Sequence, residues 1–228
     1  MSTEKQIEVL FQISRALVGK QDLDEILHEI VIRTADLIDS KICSLMLLDE
    51  KKEHLVIRAT QSLSATYRDK PPIRVGRSIS GKVVQSKKVL QTEDVTTDPA
   101  YGYPAIAKQE GLRSLLSVPM MIADEVIGVL NCYTAEPRHF SPPEIQLVQT
   151  ITNHAAIAIE HMRVVAEQME AKAALETRKS ADLAKRILMQ RYRLTEEDAH
   201  RLLQKMSMER NKPLREISDA LILAAELP

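Results

Sequence analysis

The clearest chemistry in this sequence is positive charge gathered into one stretch. Between Lys172 and Arg215 stand 12 Lys and Arg against 6 Asp and Glu, a net of +6. The whole 228-residue chain carries a net of only −1, which leaves −7 for the rest. A basic end on an acidic body attracts a polyanion through summed Coulombic force and leaves the body to other work. No comparable constellation points to covalent chemistry. The run Gly76-Arg77-Ser78-Ile79-Ser80-Gly81 leads into Lys82-Val83, not into the Lys-Ser/Thr pair of a nucleotide-phosphate loop. No Ser stands in a nucleophile elbow. The six His (His28, His54, His139, His154, His161, His200) lack paired ligand spacing. Of these, His154 and His161 are two helical turns apart, too far to share one metal. Cys43 and Cys132 fall in apolar runs and read as buried, inert thiols, with a redox or chromophore-attaching role as the alternative. Tyr101 and Tyr103 read as packing residues of a loop, with lining a pocket as the alternative. An enzyme is not expected, and no metal site is expected.

These groups must be held by a folded body. Hydrophobic residues make up 44% and charged residues 28%, enough apolar mass to fill a core. The length predicts one large domain, or one domain with a small appendage. No run approaches 18 apolar residues, so no membrane span is expected. The opening MSTEKQIEVLFQ lacks an apolar signal core, and two Cys cannot build a secreted disulfide framework, so the cytoplasm is the expected compartment.

Gly and Pro divide the chain. All six Gly lie at or before Gly128, and neither residue occurs between Pro143 and Pro213. The first part carries β-rich runs at 42–48, 55–60, 114–122 and 126–134, separated by turn signals such as Pro71-Pro72. Ala123-Asp124-Glu125 reads as a tight hairpin between the last two. Pro119 inside a run implies a sheet edge or a bulge. Helical spacing appears at Ile7, Leu10, Phe11, Ser14 and Leu17. It appears again from Asp22 through Ile26, Ile30, Ala35 and Leu37. Shorter helices are predicted at 80–87 and 105–110. Ser141-Pro142-Pro143-Glu144 carries a Ser cap, prolines for the first turn and a carboxylate three residues on, a strong helix start. Helices flanking hairpin-linked strands predict an α+β layer on an antiparallel sheet.

The breaker-free stretch predicts one long connector helix. Val148, Ile151, Ala155, Ala158, Met162, Val165 and Met169 alternate by three and four, the heptad rhythm. Its earlier half is expected to lie on its own domain, with Ile157 and Ile159 adding apolar surface. Its later half needs a partner, because a long isolated helix is stabilised mainly by burying an apolar face. A parallel homodimeric coiled coil is the favoured partner, and packing within the chain the alternative. Beyond it, three short helices can be drawn. The first runs through Ala184, Ile187 and Leu188 and stops near Arg191-Tyr192-Arg193. The second is capped by Thr195, with Glu196, Glu197 and Asp198 on its positive end, and buries Ala199, Leu202, Leu203 and Met206. Asn211 suits the left-handed turn that ends it, and Pro213 suits the first turn of a third helix with Leu214, Ile217, Leu221 and Ala224 inward. With Tyr192 its single aromatic, this module would bind a nucleic acid through phosphates and Arg planes.

The C-terminal blocks Ala184-Lys185-Arg186-Ile187-Leu188-Met189, Leu194-Thr195-Glu196-Glu197-Asp198-Ala199, Arg201-Leu202-Leu203 and Met206 to Leu214 resemble the ANTAR domain over 174–228. The resemblance implies a three-helix RNA-binding module of bacterial transcription antiterminators, dimerised through a preceding coiled coil and binding paired hairpins in leader RNA. Carried over residue by residue, it implies RNA contacts from Lys185, Arg191, Thr195, Arg201, Lys205, Arg210 and Asn211. Electrostatics adds Arg186 and Arg193. Arg186 stands where the family usually has Gly, and Tyr192-Arg193 where a small residue is common.

Residues 1–161 resemble a GAF domain through Ile79-Ser80-Gly81-Lys82-Val83-Val84, Asp94-Val95-Thr96-Thr97-Asp98-Pro99, the run from Gly111 to Pro119, and Val126-Ile127-Gly128-Val129-Leu130. That resemblance implies a small-molecule sensor pocket between the sheet and its covering helices, or a dimerisation unit. Its effector is unknown, and no cofactor is required by the sequence. Residues 162–173 form the connector between the two. The expected function is a GAF-controlled antitermination regulator that binds leader hairpins as a homodimer. The alternative is a dimerisation and protein-interaction module whose basic helices dock an acidic protein.

Overall fold

The computed structural model describes residues 23–226. The helix expected near residues 7–17 lies outside them. The chain divides between residues 162 and 163 into two units, taken in turn.

In the first unit the helix α1 (Leu23–Leu37) precedes strands β1 (Ile42–Leu48) and β2 (His54–Thr60). Then follow α2 (Ala65–Arg68), β3 (Ile73–Arg74), α3 (Ser78–Ser86), β4 (Leu90–Thr92), α4 (Pro104–Glu110), β5 (Leu115–Ile122) and β6 (Glu125–Tyr133). The strands pair antiparallel throughout in the order β3-β2-β1-β6-β5-β4. The long strands are the ones the apolar runs predict. The β5–β6 hairpin is tighter than expected: Ile122 pairs with Glu125, so only Ala123 and Asp124 turn the chain, and Ala123 takes a φ of 49°. Pro119 satisfies both expectations. β4 covers β5 only from Leu115 to Ser117, so Pro119 faces an open edge, and the register shifts just beyond it, between Met120 and Met121.

Alternation along each strand gives the sheet two faces of different character. One receives Cys43 and Leu45 of β1, Leu130 and Cys132 of β6, and Leu116 and Val118 of β5. Against them pack Ile26, Leu27, Ile30 and Val31 of α1, together with Val148, Ile151 and Ala155 from the next helix. Cys43 and Cys132 are register partners with their sulfurs 3.2 Å apart, both fully buried, as the apolar runs predict. The other face lies under α2, α3 and α4. Gly81 in α3 makes that packing possible, since a Cβ there would sit 2.5 Å from the Arg74 carbonyl oxygen.

The helix α5 (Pro142–Tyr192) begins as the sequence predicts: Ser141 donates through both its N–H and its hydroxyl to Glu144 Oε2, at 2.8 and 2.7 Å. The heptad positions divide by use. Val148, Ile151, Ala155 and Ala158 are buried in the first unit, Met162 and Val165 are half-buried, and Met169 is 69% exposed. Ile159 is buried, whereas Ile157 faces outward.

The second unit packs the latter part of α5 with α6 (Glu196–Arg210) and α7 (Leu214–Glu226). Its core is Ala181, Ala184 and Leu188 of α5, Ala199 and Leu203 of α6, and Ile217 of α7, with Met189, Leu194, Leu202, Met206, Leu214 and Leu221 around them. One expectation fails. Ala224 is exposed, and the inward positions of α7 are Leu214, Ile217, Ser218 and Leu221. The helix begins at Leu214, so Pro213 precedes its first turn, and the buried Ser218 hydroxyl is satisfied by the Leu214 carbonyl at 2.8 Å. Among the described residues no helix is long and apolar enough to cross a membrane.

Candidate functional site

The nine residues nominated for RNA contact occupy three different situations. Two are caps. Thr195 accepts the Asp198 N–H at 3.2 Å and donates to its carboxylate at 2.7 Å, which closes the start of α6. Asn211 takes a φ of 48° and ends the same helix, its N–H bonded to the Met208 carbonyl. Three are ion-paired. Lys185 reaches Asp182 at 2.9 Å on its own helix and Glu196 at 3.1 Å at the start of α6, a bridge from one helix to the next. Its hydrogen bonds to Asp182 and then Glu196 raise the Lys185 pKa above the ordinary lysine value. Arg201 pairs with Glu197 and Asp198, and Lys205 with Glu209, both across single turns of α6.

The remaining four, Arg186, Arg191, Arg193 and Arg210, are exposed and form no ion pair among the described residues. Arg186 lies two positions from both Ala184 and Leu188, about 200° round the helix from each, so it stands opposite the core. Arg193 closes α5 with a φ of 54°. This left-handed conformation explains the preference for a small residue there, since L side chains adopt it at a cost that Gly avoids. Of the nominated residues these four are the most available to phosphate, which Arg meets with a planar fork of donors.

The first unit has a site that the sequence did not disclose. Ser44 of β1, Asn131 of β6 and Ser117 of β5 are paired in register and form a polar row across the sheet, on the face beneath α2 and α3. All three are fully buried. Ser44 shares a 2.9 Å hydrogen bond with the Tyr67 hydroxyl, and Ser80 of α3 donates to Asn131 Oδ1 at 2.9 Å. Tyr67 and Tyr101 each meet Tyr133 edge-on, at 6.0 and 6.3 Å between centroids. Burial pushes the Tyr101 hydroxyl up to about 12 and holds those of Tyr67 and Tyr133 well above the usual phenol range. Lys70 lies beside them with its Nζ 4.8 Å from the Tyr67 ring and 5.5 Å from that of Tyr103. It is buried, and burial draws its pKa down to about 8. Tyr103 fits the packing role expected of it, with its hydroxyl on the Pro71 carbonyl at 3.0 Å.

Surface clefts of the same unit are less promising. One of about 270 Å³ is lined by Ser40, Lys41, Thr134, Glu136 and Arg138. Its cations are already engaged, Lys41 with the Gly111 carbonyl and Arg138 with Glu144 and the Ile38 carbonyl. Among the described residues no group of three His, Cys, Asp or Glu side chains is arranged to hold a metal.

Two family models match the chain, one described as a GAF domain over residues 20–160 and one as an ANTAR domain over residues 169–222. The chain belongs to the GAF family and carries an ANTAR domain after it. The polar row, the tyrosines and Lys70 lie within the GAF domain, and all nine nominated RNA contacts lie within the ANTAR domain. The chain is similar to part of the methyl sulfide methyltransferase-associated sensor of Methanosarcina acetivorans, with 26% identity over 157 residues. That match covers 67% of this chain and 16% of the sensor. The Nif-specific regulatory protein of Herbaspirillum seropedicae is 23% identical over 174 residues, covering 74% of this chain and 32% of the regulator. The chain therefore spans between a sixth and a third of these curated relatives. In fold it is similar to the GAF domain of a phosphoenolpyruvate-protein phosphotransferase from Coxiella burnetii, at a TM-score of 0.66 and 24% identity over 73% of this chain and 99% of that one.

Proposed function

We propose that this chain is a signal-responsive regulator of transcription antitermination, in which the GAF domain senses and the ANTAR domain binds hairpins in leader RNA. It acts in the cytoplasm as a homodimer joined along α5, and the reading assigns it no catalytic step. The observation that carries it is the set of Arg186, Arg191, Arg193 and Arg210, exposed and without ion pairs among the described residues, on a three-helix ANTAR module. Their neighbours Lys185, Arg201 and Lys205 are held by carboxylates, so phosphate would have to displace those partners. The sensor and regulator named among the relatives support placing the GAF domain upstream of an output.

α5 offers apolar surface for that dimer: Val164, Met169, Leu175 and Leu183 are exposed. Hiding such side chains against a second copy is how long helices gain stability. Sedimentation equilibrium of the full chain should give a dimer, and M169E with L175E should shift it toward monomer; an unaltered equilibrium would remove α5 from the interface.

RNA binding is tested by titrating the protein into a two-hairpin leader transcript over a range of salt. Four phosphate contacts predict log K falling against log salt with a slope of about −3 to −4. Replacing the four arginines together with Ala should flatten that slope. Equal affinity and slope in the quadruple variant would refute this face as the RNA surface.

A further inference from the structure

The polar groups buried in the GAF domain are short of acceptors. Asn131 Oδ1 is occupied by the Ser80 hydroxyl, and its Nδ2 has no partner. Ser117 Oγ has none, and neither has Lys70 Nζ. Two of these three are obligate donors and the hydroxyl can serve as a third. A buried ammonium is costly unless an opposite charge compensates it. Lys70 faces the rings of Tyr67 and Tyr103, with no carboxylate paired to it among the described residues. Ring faces attract a cation but supply no hydrogen-bond acceptor of carboxylate strength.

The groups are linked in space. Lys70 lies over the ring of Tyr67, the hydroxyl of that ring meets Ser44, and Ser44 is the register partner of Asn131, which in turn pairs with Ser117. Fully buried apolar side chains close both sides of the row, Tyr133 and Leu115 on one and Met46 and Val129 on the other. We propose that this face of the GAF domain binds a small anion, a carboxylate or an inorganic oxyanion, with Lys70 neutralising it and Asn131 and Ser117 donating to its oxygens. The proposal rests on reading the domain as a sensor and gives that sensor its class of signal.

Proton linkage supports the assignment. Lys70 titrates near 8, and the groups facing it are the phenols of Tyr67 and Tyr103, both raised by burial. An anion favours the charged ammonium, so affinity should weaken as pH rises through that value.

The test is the thermal midpoint of the full-length protein in acetate, succinate, nitrate and phosphate, against chloride at equal ionic strength and with acetamide as the neutral control. At a hundredfold excess over Kd, one or more of the anions should raise the midpoint by about 5–10 °C. Lys70→Met should fold, since it removes an uncompensated charge, and lose at least tenfold in anion affinity. Lys70→Arg should retain part of it, and Ser117→Ala should weaken binding without abolishing it. Protection by none of the four anions, or equal protection of Lys70→Met, would overturn the proposal. The RNA titration is a separate measurement made without added anion effector, so failure here is separable from failure of the antitermination reading.

Discussion

The GAF domain keeps its polar chemistry inside, whereas the ANTAR domain keeps its chemistry outside. In the first, Ser44, Asn131, Ser117 and Lys70 are desolvated and fixed by strand register and by tyrosine rings. In the second, Arg186, Arg191, Arg193 and Arg210 stand in water on a small apolar core. Buried donors can discriminate among small ligands, because each unmatched group carries its full desolvation penalty. Exposed guanidinium groups interact through a screened field and tolerate varied geometry, which suits the phosphates of a polyanion. The contrast therefore predicts different responses to mutation, pH and salt.

The largest expected effect lies in the GAF core. Leu130→Ala opens a cavity beneath both α1 and α5 and should cost about 3–5 kcal/mol in denaturant unfolding. Leu203→Ala in the smaller ANTAR core should cost less, about 2–3 kcal/mol, because half-buried Leu202 and Met206 can move toward the space. An equal loss would mean the two cores are equally rigid. Next comes pH. Lys70 titrates near 8 when folded and near its ordinary 10.5 when unfolded, so between those values the unfolded chain binds more protons. Stability from this group therefore rises with pH, by about 1 kcal/mol from pH 7 to 9. Tyr67, Tyr133 and Cys43, whose pKa values are raised in the fold, work in the opposite sense at higher pH. The quantity to measure is thus the wild-type pH profile minus that of Lys70→Met, and a flat difference would break the inside half of the comparison.

Thr195→Ala should cost about 1 kcal/mol in the ANTAR transition, read by helix content on heating, since it removes the cap of α6. The smallest stability effect belongs to the outer charges. Arg191→Ala with Arg210→Ala should leave unfolding within about 0.5 kcal/mol of wild type while reducing the salt slope of RNA binding by about 1.5. A large loss of stability in that pair would show that these arginines belong to the structure.

The sheet and the caps were legible in the sequence, and the polar row was not, for separable reasons. β1, β2, β5 and β6 are bounded apolar runs, and Thr195 and Asn211 are residue types with strong positional preferences. β3 and β4, at two and three residues, and the single-turn α2 are too short to show a period. Ser44, Ser117 and Asn131 are far apart along the chain and meet only through strand register. Lys70 sits before Pro71-Pro72, where composition indicates a turn and gives no hint of burial. The bridge from Lys185 to Glu196 depends on how α5 turns into α6, which charge counting does not encode.

The paired sulfurs at the centre of the sheet have a practical consequence. Cys43 and Cys132 are the only thiols in the chain, both are sealed from solvent, and burial pushes the Cys43 thiol up, away from its reactive form. A thiol-specific dye can reach them only when α1 or the start of α5 lifts from that face of the sheet. The rate of colour release in native buffer is then a clock for that opening, and an effector that tightens the domain should slow it in proportion to its occupancy.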